Sequence, residues 1–425
     1  MKSLLLITHE YPLKQGDASF IENEIPHLAR AFDAVHVLCL KHKMNSNQLC
    51  TPQNVHINFI SDNKYNGVLK YVSLFALPFH SVFYRELISL TKTKKLSAVT
   101  LRYAIGFLRH AIFLQIPIKH ILKNDKTICL IYTYWYTHET LSALLLKSNI
   151  TKKYAYISVS TRTHRYDLYK LKNNQNWQSY KQIMDEKIDK IFFISQHGYN
   201  YYINEFAGND LKKYELARLG VSNKYDIENT SKNGNNDTFV LCSCSYIVPV
   251  KRVYLIAEAL EKINNYKIHW VHIGDGFEEN TVKSLSAKKL SGKTNISYEF
   301  KGFMKNEQIM RFYNENNIDC FISTSESEGL PVSMMEAISF GIPIIATAVG
   351  GVPEIVNKNF GILLNPVGDV FEISDAIIGL CNLRDGQQSA MRQSARSFWE
   401  TNFNAEVNHA KFSQKLLTLV NGKEY

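Results

Sequence analysis

The chain has 425 residues, of which 45% are hydrophobic, 21% charged and 12% aromatic. That length asks for two domains, since a single core rarely grows beyond about 250–300 residues. No apolar run approaches the roughly 18 residues of a membrane span, and Leu4–Ile7 is too short for a signal-peptide core, so it reads as a buried first strand. The seven cysteines, at 39, 50, 129, 242, 244, 320 and 381, include no Cys-x-x-Cys pair. They fit core thiols in a reducing cytoplasm and argue against structural zinc.

The net charge of +10 is unevenly spread. Met1–Ser222 carries 29 Lys and Arg against 16 Asp and Glu, and the remainder 20 against 23. Within Thr51–Lys126, 11 basic and 3 acidic residues interleave with aromatics running from Tyr65 to Phe113. Such a segment suits peripheral contact with an anionic membrane, at the inner face of the plasma membrane, or an anionic lipid-linked acceptor. It reads equally as a solvated helical face with its aromatics turned inward. No nucleic-acid partner is expected, because no recognised binding motif accompanies the charge.

Along the chain, short apolar runs alternate with amphipathic segments, the pattern of parallel α/β sheets with helices on both faces. The first half predicts strands at Ser3–Thr8, Ala34–Leu40, Val55–Ile60, Ile128–Tyr134, Tyr154–Ser160 and Lys190–Ile194, with a helical insertion over about 65–122. Polar, Asn-rich 223–237 reads as a linker. The second half predicts strands at Thr238–Cys244, Ile268–Ile273, Ile296–Phe300, Ile318–Ser323 and Pro343–Thr347, with helices starting near Lys251, Phe277, Asn306 and Pro331. The expected fold is therefore two Rossmann-like domains, 1–222 and 238–400, with parallel sheets facing a cleft. A C-terminal helix at 401–425 is expected to pack back toward the first domain. Ligands should sit where the strand C-terminal ends open.

The most informative stretch is Ser323–Val356. A strand ends in a polar loop, Pro331 suits a first helical position, and Gly341 suits the left-handed cap after the helix. The free N–H groups around Gly329–Val332 then form an anion site reinforced by the helix dipole, with Gly329, Leu330 and Pro331 as substrate-binding positions. Glu328 stands before that site and Glu336 lies within the helix. A carboxylate repels phosphate but accepts hydroxyl donors, so one acid for the transferred sugar and one for a ribose is a coherent assignment.

Glu328 and Glu336 in Glu-x7-Glu spacing, with Gly329, Pro331, Gly341, Pro343, Gly350, Gly351, Pro353 and Glu354 in register, resemble family 4 retaining glycosyltransferases of the GT-B fold. The register selects Glu328 over its neighbour Glu326. The resemblance implies a nucleotide diphosphate sugar as donor and a glycan or lipid-linked sugar as acceptor. It also implies retention of configuration, no metal or other cofactor, and a place in bacterial surface-polysaccharide biosynthesis. Within it, Lys251 matches the diphosphate-gripping lysine of Cys242–Val253. Tyr246 occupies the usual arginine position and Arg252 the usual glycine, so Lys251 and Arg252 together are expected to neutralise the leaving diphosphate. Gly274 and Gly276 resemble the turn near the nucleotide, and Phe300–Phe303 the segment whose backbone flanks the base.

In the first half, His9–Phe20, with Gly16, resembles the family's glycine-bearing loop, and Tyr132–Tyr136 ends a strand facing the cleft. Ser158–Lys170 resembles an Arg-x-His-x-x-Asp-x-Tyr segment that assigns Arg162 and Asp167 to substrate binding and His164 to the reacting sugar. No Asp-x-Asp motif sits at a plausible strand end, and no Gly-x-Gly-x-x-Gly follows Ser3–Thr8, which argues against a dehydrogenase. A sugar-nucleotide 2-epimerase and a degenerate, non-catalytic sugar-nucleotide binder remain as alternatives, the second because Tyr246 replaces an arginine.

Overall fold

A computed structural model describes residues 1–13, 16–41, 48–60, 77, 80–148, 153–170, 177–225 and 238–421. The expected linker from 226 onward and, in the expected insertion, residues 65–76, 78 and 79 lie outside the described residues. The chain divides into two compact units, Met1–Arg218 with Glu406–Tyr425, and Leu219–Ala405.

Unit 1 holds a seven-stranded parallel sheet in the order β3-β2-β1-β4-β5-β6-β7. The strands are β1 (Ser3–Thr8), β2 (Ala34–Cys39), β3 (Val55–Phe59), β4 (Ile128–Thr133), β5 (Ser158–Thr163), β6 (Lys190–Phe193) and β7 (Tyr214–Leu216). Its helices are α1 (Ala18–Ala31), α2 (Ser81–Lys92), α3 (Ala98–Asn124), α4 (His138–Lys147), α5 (Lys181–Lys187) and α6 (Gln196–Glu205). Every residue of β1 and β4 is buried, as a parallel sheet covered on both faces requires. Alternation divides them between two cores: Leu5, Ile7 and Ile131 join the layer that contains α3 and α4, whereas Leu4, Leu6 and Leu130 face α1 and the C-terminal helix.

β5 differs from expectation. The aromatic run from Tyr154 reads as strand, but 153–156 form a turn and the strand begins at Ser158. Arg162 therefore lies inside β5 instead of beyond it. β7 was not anticipated, being only three residues long.

Unit 2 repeats the plan with a six-stranded parallel sheet, β10-β9-β8-β11-β12-β13. The strands are β8 (Thr238–Cys244), β9 (Lys267–Ile273), β10 (Ile296–Phe300), β11 (Cys320–Ser323), β12 (Ile344–Thr347) and β13 (Gly361–Leu364), the last unanticipated. Helices α7 (Tyr254–Glu261), α8 (Glu279–Leu290), α9 (Asn306–Glu315), α10 (Val332–Ser339), α11 (Val370–Cys381) and α12 (Asp385–Asn402) cover it, and α13 (Ala405–Asn421) follows. Gly341, at φ +66°, ends α10, and Ile342 N donates back to Ala337 O at 3.1 Å. Among the described residues no helix is long and apolar enough to cross a membrane.

Candidate active site

In a doubly wound sheet, ligands bind outside the strand C-terminal ends where the strand order reverses. In unit 2 that point lies between β8 and β11, and the two exits bring Lys251 and Glu328 together. After β8 the chain reaches a 3-10 turn at Pro249–Lys251. Ser245 N donates to Ile273 O (3.0 Å) and Ile247 N to Asp275 O (2.8 Å), fixing this loop against the exit of β9. Only glycine permits that approach: a Cβ on Gly274 would stand 2.0 Å from the Ser245 carbonyl oxygen, and one on Gly276 2.3 Å from that of Ile247. The Gly-x-Gly pair thus sets the height of the lysine loop.

The loop after β11 rests on Gly350 and Gly351, where added Cβ atoms would lie 1.9 Å from Glu328 O and 2.3 Å from Gly329 O. Gly351 N donates to Gly329 O at 2.8 Å. So supported, the nearly buried Glu328 carboxylate accepts from Lys251 Nζ at 2.5 Å. α10 starts one residue later than expected, with Pro331 in the cap position. Among the described residues the amides of Val332 and Ser333 make no backbone hydrogen bond. They are the unpaired first turn of a helix and attract an anion. Leu330 packs inward, while Phe303 stands exposed beyond β10.

Glu336 is buried and accepts from Asn306 Nδ2 at 2.5 Å. Burial pushes its pKa up to about 7, against the lowering effect of the Asn306 bond. The folded protein therefore keeps a proton that the unfolded chain has released, and stability falls as pH rises from about 4.5 through 7. Glu336→Gln should abolish that slope. Thermal melts of both proteins between about pH 4 and pH 8 would check it, an identical slope in the variant being the contrary result.

The Arg252 side chain is held by backbone carbonyls of two loops. Its backbone adopts φ +47°, the left-handed region that suits the glycine expected there. Its guanidinium donates to the carbonyls of Thr324 (2.8 Å), Ser325 (3.2 Å), Pro366 (2.9 Å) and Val367 (2.7 Å). It ties the exit of β11 to the loop after β13, and these four bonds occupy most of its donors.

In unit 1 the strand order reverses between β1 and β4. Asp17 cinches the loop after β1 by accepting from the amides of His9, Glu10 and Tyr11 and from Trp135 Nε1, at 2.9–3.1 Å. Gly16, at φ +56°, leaves room for the Glu10 carboxylate. His9 Nε2 contacts buried Glu139 at 2.5 Å; burial opposes charge on the imidazole, but the Glu139 bond prevails and raises its pKa.

Asp167 is buried and brackets two loops, accepting from the amides of His164 and Tyr136, both at 2.7 Å. His164, just beyond β5, lies against the rings of Tyr134 and Trp135, with centroids 4.7 and 4.6 Å away. Burial, then the charge of Arg162, lowers its pKa to about 3, so the ring is neutral. Its Nε2 is buried without a hydrogen-bond partner. Arg162 is wholly buried on the opposite side of β5 from Val159 and Thr161. It donates to Glu24 Oε2 (2.7 Å) and to the carbonyls of Ala217 and Arg218 (2.7 and 2.9 Å), with Phe412 4.3 Å from its guanidinium.

Lys251, Glu328, Gly329 and the start of α10 thus converge at one point of unit 2, with Gly274 and Gly276 supporting it. His164 and Asp167 share a strand end in unit 1, whereas Arg162 is turned into the core. The sequence reading passed over Asp17, Glu139 and Asn306. Only Asp17 carried a local signal, as an acidic residue beside a loop glycine and before a helix. Among the described residues no group of three or more His, Cys, Asp or Glu is arranged to hold a metal ion.

Comparison with known proteins places these features. The model of the family described as glycosyl transferases group 1 matches residues 226–398. It corrects the resemblance drawn above: the family named by the match is glycosyl transferases group 1, in place of family 4. The amylovoran biosynthesis glycosyltransferase AmsK of Erwinia amylovora is 27% identical over 150 residues, 34% of this chain and 35% of its own. The chain thus spans about a third of the length of such curated relatives. Sucrose-phosphate synthase from Thermosynechococcus elongatus superposes with a TM-score of 0.70 at 15% identity, covering 100% of both chains. HepE of Anabaena, solved with UDP and glucose, gives 0.61 at 16%, covering 98% of this chain and 99% of its own. These likenesses establish the fold: two parallel-sheet α/β units with C-terminal helices, as in GT-B.

Proposed function

We propose that this chain is a glycosyltransferase that moves a hexose-type sugar from a nucleotide diphosphate sugar to a glycan or lipid-linked sugar, in surface-polysaccharide biosynthesis. The observation that carries the reading is Lys251 held against Glu328 directly before the unpaired amides of α10. A cation and bare amides suit a diphosphate, and the adjoining carboxylate suits a sugar hydroxyl. The matched family and the name of AmsK support it from outside, and HepE was solved with UDP.

In this reading Lys251 and the first turn of α10 take up the charge that develops on the leaving diphosphate, a task that a divalent ion would otherwise perform. The acceptor oxygen bonds to the anomeric carbon as the bond from that carbon to the phosphate oxygen breaks. The acceptor proton passes to the departing phosphate on the same face, which retains configuration. His164, being neutral, can offer a hydrogen bond to a sugar hydroxyl and not a charge. The reaction takes place in the cytoplasm, with peripheral contact at the membrane where a lipid-linked acceptor is held.

A thermal-shift screen of nucleotide sugars should find one preferred donor, because a ligand bound only by the folded state stabilises it by mass action. That donor should then undergo slow hydrolysis without acceptor, at a rate indifferent to chelator, releasing the sugar in its original anomeric form. Interconversion of the donor without hydrolysis would instead indicate a 2-epimerase, and binding without turnover a carrier.

A further inference from the structure

The exits of β1 and β4, where the strand order of unit 1 reverses, carry an imidazole whose two nitrogens are used differently. His9 follows β1, and Glu139 lies in the first turn of α4, after the exit of β4. The Glu139 side chain is 1% exposed, whereas that of His9 is 42% exposed. Nε2 of His9 meets Glu139 Oε1 at 2.5 Å. Nδ1 has no hydrogen-bond partner among the described residues and is free for a ligand. Trp135 stacks on the ring, with 5.8 Å between centroids and 28° between planes, and its own Nε1 donates to Asp17 at 3.1 Å. The His9 amide donates to the same Asp17 at 2.9 Å, and its carbonyl accepts from Lys41 N at 3.0 Å. Half-exposed side chains are rarely fixed from so many directions for stability; a group that must meet a ligand in one orientation is.

The charges around the ring select the ligand. Glu139 is shared with His138 Nε2 at 3.6 Å, and His110 stands behind that second ring at 5.2 Å between centroids. Burial lowers the pKa of His138, whereas at His9 the Glu139 bond outweighs burial and raises it, so the proton resides on His9. Glu10, on the same loop, is matched by Lys41. Buried Lys181 lies within reach of the charges of Asp167 and Glu139. Asp17 is met by neutral N–H groups. Four carboxylates therefore stand against three cations, His9 included, and a further anion would be repelled. A charged donor in such surroundings suits a neutral oxygen, and a sugar hydroxyl is one.

We propose that His9, backed by Glu139, is the residue of unit 1 that hydrogen-bonds a hydroxyl of the acceptor sugar through Nδ1. Glu139 acts through His9 and is a positioning residue. The inference rests on the transfer reading and deepens it, by naming an uncharged sugar as what unit 1 holds. Binding of such a sugar at His9 is nevertheless measured without any donor, so the two can fail separately.

The test is nuclear magnetic resonance of the full chain with its histidines labelled at Cε1, the His9 signal being the one lost in His9→Gln. The probes are the methyl α-glycosides of glucose, galactose and mannose, with inorganic phosphate as the anionic control. At least one hexoside should shift the His9 signal, and phosphate should not. The midpoint of His9 titration should lie above the ordinary value of 6.5 and fall in Glu139→Gln. In His9→Gln the affinity for the hexoside, read on the indole N–H of Trp135, should weaken about tenfold, as when a hydrogen bond to a charged group is lost. It should weaken in Glu139→Gln as well. If Glu139→Gln does not fold, the unaltered protein decides: hexoside binding should weaken as pH rises through the His9 midpoint, because the donor then loses its charge. A pair that serves only the fold would show the raised midpoint without any response to sugar. That result, an equal response to phosphate, or undiminished hexoside affinity in His9→Gln or across the midpoint would overturn the proposal.

Discussion

Lys251→Ala should lower turnover by about 100- to 1000-fold, the range found when a donor aimed at developing negative charge is removed. The lysine also neutralises Glu328, which is nearly buried and only 2.5 Å away, so the single variant leaves that carboxylate unpaired. Glu328→Gln separates the two effects, because the amide keeps the shape and discards the charge. If Lys251 merely quieted Glu328, the double variant K251A/E328Q would recover turnover. If the ammonium stabilises the leaving diphosphate, the double variant stays as slow as Lys251→Ala. Release of nucleoside diphosphate at saturating donor is the readout, with circular dichroism checking the fold. Near-normal rates in both single variants would sink the assignment of this site.

Arg162→Met should cost about 3–5 kcal/mol of stability, the usual penalty for stripping a buried carboxylate of its partner. Glu24 and Arg162 are both fully buried. Burial already raises the Glu24 pKa, and the arginine is the largest opposing influence. Without it Glu24 retains its proton to higher pH, so the deficit should shrink as pH falls toward the ordinary carboxylate range and grow as pH rises. E24Q/R162M should regain most of the loss, since a buried ion pair replaced as a unit is often nearly neutral. Urea midpoints at several pH values measure all of this. A single variant as stable as the parent would mean that water reaches the pair.

The two predictions also mark what sequence alone could convey. Lys251 and Glu328 lie far apart in the chain, yet both follow apolar runs that read as strands, and parallel order brings such exits together. The glycines that support them were legible for a simple reason: at Gly274, Gly276, Gly350 and Gly351 the neighbouring backbone fills the space of a side chain. The left-handed turn at Arg252 was visible as a position where glycine is expected, but the four carbonyls that the side chain grips come from distant loops and leave no local trace. Arg162 was misread through register. Moving the fifth strand from Tyr154–Ser160 to Ser158–Thr163 places the residue within the sheet, where facing is decided residue by residue. Asn306 reaches Glu336 across 30 positions, a pairing that only tertiary packing creates.

Helix α13 comes late in the chain but completes a core built from its beginning. Phe412, Leu416 and Val420 fill the core beneath β1 and β4, and Phe412 also covers Arg162. During synthesis, the N-terminal sheet must therefore wait with only α1 on one of its hydrophobic faces, and with Arg162 lacking the Phe412 ring, until residues 405–421 leave the ribosome. Such a nascent chain is a natural client for chaperones. A fusion partner joined directly after α13 would burden the folding of the opposite end of the polypeptide.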